Sequence, residues 1–266
     1  MGAWYNQRMS SYPLHLQPSL TSGAAIQEAG PGTWRFWLPE GGADHYRLAQ
    51  IDDYSGLRRR DFLHQPPVRL SLQARASAEN LPGTWGFGLW NDPFSMGRLS
   101  GTGLLRLPTL PNTAWFFFAS PPNYLSLRDD LPAQGGLAGT FYSPPRASWL
   151  LPLGILVLPL LALPPAARLL RRLAARIVHQ NAAQLAVDPT QWHTYAMEWE
   201  SGKACFYVDA AVILETAVAP CGRLGLVIWI DNQYLAFTPD GRLRYGMQAC
   251  AEPAWIEIGE ISLKQG

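Results

Sequence analysis

The sequence predicts an all-β protein, a sandwich or jelly roll, and three observations predict it. Short apolar or alternating runs recur from Gly32 onwards, divided by clusters of Gly, Pro, Asn and Asp. Gly 24 and Pro 23 among 266 residues supply many turns and leave little room for long helices. Eleven Trp, ten Tyr and ten Phe favour pleated, half-buried surfaces. A hydrophobic content of 48% against 15% charged residues marks a chain that buries a core, the reverse of a disordered composition.

The strands can be read off in order. Residues 1–30 are turn-rich and weakly patterned, and are expected to form an N-terminal arm ahead of a domain over 31–266. Thr33–Leu38 is the first expected strand, closed by Pro39-Glu40-Gly41-Gly42, and residues 45–52 form a second. Val68–Ala76 alternates cleanly. It sets Val68, Leu70, Leu72 and Ala74 on one face and Arg69, Ser71, Gln73 and Arg75 on the other, as a half-buried antiparallel strand does. Further strands are expected over 83–90, 115–119, 194–199, 204–209, 212–215, 225–230, Gln233–Phe237 and 255–263. Tight turns fall at Ser201-Gly202 and Asp240-Gly241.

Residues 144–187 break the pattern. No charge lies between Arg146 and Arg168, and the run 149–163 is strongly apolar. Pro152, Pro159, Pro164 and Pro165 punctuate it, whereas a straight membrane-crossing helix wants about 20 unbroken apolar residues. Residues 166–178 then show helical spacing, with Arg168, Arg171, Arg172 and Arg176 on one side and Leu169, Leu170, Leu173 and Ile177 on the other. An apolar and amphipathic insertion is expected, either packed on the domain or touching a membrane surface through 147–178.

Charge and cysteine content exclude several functions. Lys+Arg 21 against Asp+Glu 20 gives a net charge of +1, so no electrostatic case for nucleic acid arises. Cys205, Cys221 and Cys250 are too few for a disulfide framework and wrongly spaced for zinc. Residues 1–17 hold no apolar stretch of signal-peptide length, so a cytoplasmic setting is expected, peripheral on the inner membrane face if the insertion touches lipid. No phosphate- or dinucleotide-binding motif stands out, and neither a cofactor nor a metal is expected.

Motifs in the later half carry a resemblance. Gln191-Trp192-His193-Thr194-Tyr195-Ala196-Met197-Glu198-Trp199 precedes Phe206-Tyr207-Val208-Asp209. Upstream stands Gly83-Thr84-Trp85-Gly86-Phe87-Gly88-Leu89-Trp90, and near the end Trp255-Ile256-Glu257-Ile258-Gly259-Glu260-Ile261. In order and spacing these strings resemble the strand motifs of family-16 glycoside hydrolases, the laminarinase and lichenase group. The resemblance spans about Gly32 to Leu263. It implies a concanavalin-like jelly-roll sandwich of two curved antiparallel sheets, with a cleft on the concave face. It also implies an E-x-D-x-x-E strand holding two carboxylates. Here the strand in that place reads Trp115-Phe116-Phe117-Phe118-Ala119, and no carboxylate lies between Asp92 and Asp129. Retaining hydrolysis needs two carboxylates about 5–5.5 Å apart, so the hydrolase activity is not carried over.

Several residues remain as candidates. Alternation puts Trp115 and Phe117 on one face and Phe116 and Phe118 on the other. One pair then fills the core and the other makes an apolar wall where the resemblance would place acids. Trp229-Ile230-Asp231-Asn232-Gln233-Tyr234 reads either as hydrogen-bonding groups beside aromatics or as an Asx turn. Asn91-Asp92-Pro93 reads as a turn or as a polar cleft rim, and Glu198 as a solvated charge or an acid-base group. Asp52-Asp53 is a weak calcium pattern, and His193 reads as structural.

The expected ligand-binding set is Trp85, Trp90, Trp115, Phe117, Trp229, Asp231, Gln233 and Tyr234. The function this suggests is a catalytically degenerate glucanase-like jelly roll that holds a small apolar or amphiphilic ligand in its concave cleft, at a membrane surface. One alternative is an enzyme of changed chemistry (a lyase, cyclase or hydrolase on a small hydrophobic substrate) using Asp231, Asp92 or Glu198. A second is a glycoside hydrolase whose carboxylates have moved.

Overall fold

The computed structural model describes residues 16–21, 23–93, 106–150 and 158–266. Residues 1–15 and most of the apolar run, 151–157, lie outside the described residues, together with the expectations placed on them. Among the described residues there are sixteen strands and one α-helix, and fourteen of the strands form two antiparallel sheets of seven. The architecture is a jelly-roll sandwich.

The first sheet runs β1(Gln17–Leu20), β4(Leu48–Asp52), β13(Gly225–Asp231), β6(Thr84–Trp90), β7(Thr113–Ala119), β8(Gly135–Tyr142), β9(His179–Gln184). The second runs β12(Ala211–Thr216), β11(Lys203–Val208), β10(His193–Glu200), β5(Val68–Ala76), β16(Ala254–Gln265), β3(Thr33–Leu38), β2(Ala25–Gly30). A separate two-stranded ribbon pairs β14(Gln233–Phe237) with β15(Leu243–Met247).

Five strands had no counterpart in the sequence reading, β15 as the partner of β14 among them. Gln17–Leu20 and Ala25–Gly30, expected in the arm, pair with β4 and β3 and extend both sheets. His179–Gln184, expected inside the insertion, is the edge strand beside β8. β8 itself had no expected counterpart, because Gly135-Gly136-Leu137-Ala138-Gly139 lacks β-branched residues and draws its strand geometry from pairing with β7.

Period-two alternation assigns the faces. Trp85, Phe87 and Leu89 of β6, Phe116 and Phe118 of β7, and Ile228 and Ile230 of β13 point inward. They share one buried core with Leu70, Leu72, Tyr195, Met197, Phe206 and Ile256 of the second sheet. Phe116 bridges the sheets, its ring centroid 5.5 Å from Phe87, 5.1 Å from Tyr195 and 5.3 Å from Phe206.

The outer face of the second sheet is charged. Glu257 lies between Arg35 and Arg75 in cross-strand register and accepts from both, at 2.6 Å and 2.7 Å. Burial pushes its carboxyl up, but the two guanidiniums outweigh that and hold it below the usual range.

The helix α1(Pro164–Ile177) opens on two prolines, which suit the first helical turn. It docks by its Ala167/Arg171 edge. Arg171 is buried, donates to the carbonyls of Phe237 (3.0 Å) and Ser126 (2.8 Å), and ion-pairs with Asp129. This corrects the expected four-arginine outer stripe: Arg168, Arg172 and Arg176 remain outward, while Arg171 clamps the helix to the domain. Among the described residues, no helix is long and apolar enough to cross a membrane.

Because Phe116 touches both sheets, Phe116→Ala is expected to cost about 3–5 kcal/mol of unfolding free energy, read by urea denaturation. A loss below about 1 kcal/mol would contradict the bridging role.

Candidate functional site

The outer face of the first sheet carries a second, separate apolar cluster. Trp90, Phe117, Val227, Trp229 and Leu48 form it, with Trp115 half-buried against it. Its geometry follows from three neighbouring strands. In the register of β13, β6 and β7, Trp229 lies opposite Gly86, and Gly86 opposite Phe117; Gly88 lies opposite Trp115. A Cβ on Gly86 would sit 2.8 Å from Cη2 of Trp229, and one on Gly88 would sit 2.5 Å from Cβ of Trp115. The two glycines therefore leave a trough on β6 in which rings from both sides meet. Trp115 and Trp229 have centroids 5.7 Å apart, Phe117 and Trp229 5.4 Å, and Trp115 and Phe117 5.0 Å, all tilted. Such tilted pairs fit the ring quadrupoles and add about 0.5–1.5 kcal/mol each beyond area burial.

A single carboxyl closes one end of this cluster. Asp231, the last residue of β13, faces the same side as Val227 and Trp229. Its Oδ1 accepts from Thr84 Oγ1 (2.8 Å), Thr84 N (3.2 Å) and Gln233 N (3.3 Å), and its Oδ2 from Tyr46 Oη (3.4 Å). Thr84 Oγ1 also accepts from Trp229 Nε1 at 3.0 Å, so indole, hydroxyl, carboxyl and phenol make one chain. Burial pushes the Asp231 carboxyl up to about 7, against the opposing hydrogen bonds from Thr84, Gln233 and Tyr46. The same burial, with the Asp231 charge beside it, raises the Tyr46 phenol well above its ordinary range.

The other acids lie elsewhere. The strands of this sheet carry one further acid, Asp52, which pairs with Val227, four residues from Asp231 along β13. At about 3.3 Å per residue that is about 13 Å, beyond both the 5–5.5 Å of retaining pairs and the 6.5–9.5 Å of inverting ones. Asp52 is also occupied. It accepts from Ser55 Oγ (2.7 Å), Ser55 N (2.7 Å), Tyr54 N (3.1 Å) and Gln50 Nε2 (2.9 Å), closing its own loop, while burial raises its carboxyl. Asp53 turns to His64 Nε2 at 2.5 Å. No cluster of metal-binding side chains forms among the described residues.

The structure separates the residues singled out from the sequence. Trp90, Trp115, Phe117, Trp229 and Asp231 share the outer face. Trp85 does not. It faces the inter-sheet core at 2% exposure, stacked on Phe118 at 3.7 Å between centroids, because alternation on β6 sends it opposite to Trp90. Gln233 leaves the sheet: β13 stops at Asp231, and Gln233 opens the β14–β15 ribbon instead of continuing its face. Tyr234 lies across that ribbon, opposite Gly246. The Asx-turn reading of this string also holds, through Asp231 Oδ1 and the amide of Gln233.

Asp92 is buried in an ion pair with Arg106 (2.8 Å), which also donates to the carbonyls of Tyr54 and Leu57. Its charge anchors a loop. Glu198 is on the second sheet, paired with Arg69 and accepting from Tyr207 Oη at 3.0 Å, on the side away from the aromatic face. His193 holds Asp209 (2.6 Å) and the Asp188 carbonyl (3.0 Å), a structural pairing. Tyr46 and Thr84 were missed as site residues: Thr84 stands in the string 83–90 and Tyr46 in the second expected strand, but each lies far from Asp231 in sequence and neither string marks it as a partner of that acid.

The comparisons with known proteins concern the fold. No family model matches the sequence, and no curated protein matches it. Among solved structures, the chain is similar to LamAcat from Zobellia galactanivorans, with 8% identity, a TM-score of 0.45, and coverage of 89% of this chain and 78% of that one. It is similar to an endo-1,3-beta-glucanase (laminarinase) catalytic domain from Thermotoga petrophila RKU-1, with 10% identity, a TM-score of 0.46, and coverage of 91% and 80%. A glycoside hydrolase family protein from Mycobacterium thermorestibile gives 12% identity, a TM-score of 0.48, and coverage of 90% and 79%. At such identities the likeness concerns the arrangement of strands, and no residue's role is taken from it.

The raised Asp231 carboxyl makes a stability prediction. Between the unfolded value of about 4 and the folded value of about 7, the unfolded chain has released a proton that the folded protein keeps. The group therefore lowers stability as pH rises through that window, and its cost is constant above about 7. Denaturation of wild type and Asp231→Asn at pH 4 and pH 8 is expected to show the variant gaining on the order of 2–4 kcal/mol relative to wild type at the higher pH. Parallel pH profiles would contradict the raised carboxyl.

Proposed function

We propose that the protein is a non-hydrolytic, glucanase-like jelly roll that binds a small apolar or amphiphilic ligand on the outer aromatic face of its first sheet. The observation that carries the reading is the pairing of Trp115 and Phe117 with Trp229, on the strand face where a hydrolase of this fold would need two acids. Trp115, half-buried, is the ring open to a ligand. Asp231 and Tyr46 supply one polar end, suited to a hydroxyl or carbonyl. A lone acid about 13 Å from its nearest partner on the sheet has no second group to split proton transfer from nucleophilic attack.

The same reading places the protein at an anionic membrane surface through α1. Leu163, Leu169 and Leu173 stand exposed, at 57%, 56% and 42%. Arg168, Arg172 and Arg176 lie on the adjoining side and are exposed as well. Each basic side chain near an anionic leaflet contributes about 1 kcal/mol and each buried Leu about 1.5–3 kcal/mol, enough together for reversible attachment. The Arg171 clamp holds this side outward.

Three measurements test these statements. 11-Bromoundecanol, whose bromine quenches indole fluorescence, is expected to quench the protein saturably, with affinity at least about tenfold weaker in Trp115→Ala. Release of reducing ends from laminarin, lost in Asp231→Asn, would overturn the non-hydrolytic reading. For the surface, the protein should co-sediment with phosphatidylglycerol vesicles, and Leu169→Asp/Leu173→Asp should abolish this. Equal sedimentation of wild type and variant would contradict attachment through α1.

A further inference from the structure

A cavity of about 420 Å³ lies away from the aromatic face, where the two sheets part beside the first residues of β6 and β8. That volume lies in the range of about 300–1,000 Å³ typical of small-molecule sites. Its lining is mixed: Leu81, Leu185, Val187 and the stacked Trp85–Phe118 pair give it apolar wall, and Asn80 and Ser120 add neutral polar groups. Gly136 makes the room, since a Cβ there would sit 2.9 Å from the Phe118 ring.

The mouth has one sign of charge. Glu79, after β5, and Asp188, after β9, are both exposed and both line the cavity, and among the described residues no Lys or Arg does. Neither carboxylate pairs with a Lys or Arg among the described residues: Asp188 accepts from Thr190 N (2.9 Å) and Thr190 Oγ1 (2.7 Å), with Gln191 beside it and His193 on its backbone carbonyl, and no ion pair involves Glu79. The Thr190 hydrogen bonds hold the Asp188 carboxyl below its usual range, so it is charged at neutral pH. Two acidic side chains over a pocket with Leu81, Leu185 and Val187 in its wall focus a negative potential at its entrance.

We propose that this cavity is a second binding site, for an organic cation with a compact apolar body. An alkylammonium would seat its chain against Leu81, Leu185 and Val187 and leave its charged head between Glu79 and Asp188. This inference is independent of the aromatic-face reading, because the two sites lie on opposite faces of β6: Trp85 walls one and Trp90 the other.

Titration calorimetry with hexyltrimethylammonium tests it, with 1-hexanol and hexanoate as neutral and anionic controls. The ammonium is expected to bind stoichiometrically and at least about tenfold more tightly than hexanol, with hexanoate not binding. Glu79→Lys, at an exposed position, should weaken the ammonium at least about tenfold and leave bromoundecanol quenching unchanged. Ala186→Trp, an exposed wall residue filling the mouth, should abolish ammonium binding. No saturable ammonium binding, binding equal to that of hexanol, or binding unaffected by both variants would overturn the proposal. Loss of bromoundecanol quenching alone would strike the aromatic-face reading and leave this one standing.

Discussion

Everything on the outer face depends on the two-residue period of three adjacent strands. On β7 that period sends Phe116 and Phe118 into the core and leaves Trp115 and Phe117 on the outside. On β6 it puts Gly86 and Gly88 outward, so the rings of β7 and β13 close over bare backbone. A one-residue slip in either pairing would bury the trough and expose the core aromatics, so the core fixes the register that builds the face. The aromatic face and the core are thus two consequences of one alternation.

Asp231 shows how such a face treats a charge. It has good hydrogen-bond partners in Thr84, Gln233 and Tyr46, yet its carboxyl rises to about 7 because burial outweighs them. Glu257 is the counterexample on the opposite sheet: it too is buried, but two guanidiniums reverse the sign. Asp92 has the Arg106 ion pair and the charge of Arg59 nearby, and there burial still prevails. Asp231 is thus an acid without a cation partner, whose neutral form burial favours, and which suits hydrogen bonding to a neutral polar group.

Much of this architecture was legible in the chain. Val68–Ala76 could be bounded to the residue because its alternation is unbroken, and Thr33–Leu38 and Gln233–Phe237 likewise. The split of Trp115–Phe118 between faces followed from period alone. Local pattern failed where pairing decides structure. The glycine-rich β8, the polar β9 and the short β1 and β2 carry no strong period and are strands because a neighbour offers its edge. Trp85 was misplaced because a Trp-rich string does not say which of its indoles faces in. Arg171 was misplaced because helical spacing groups side chains by angle and cannot reveal which edge the domain will cover. Tyr46 and Thr84 reach Asp231 only through strand pairing and chain return, which no linear motif records.

The central claim is that the outer face of the first sheet holds an apolar or amphiphilic molecule and cleaves no sugar. Native mass spectrometry of protein purified under mild conditions, comparing wild type with Trp115→Ala, addresses it directly. The account predicts a small apolar or amphiphilic molecule retained by wild type and lost from the variant. Wild type and variant carrying the same adducts, or wild type carrying a glycan fragment cleaved from an added β-glucan, would contradict it.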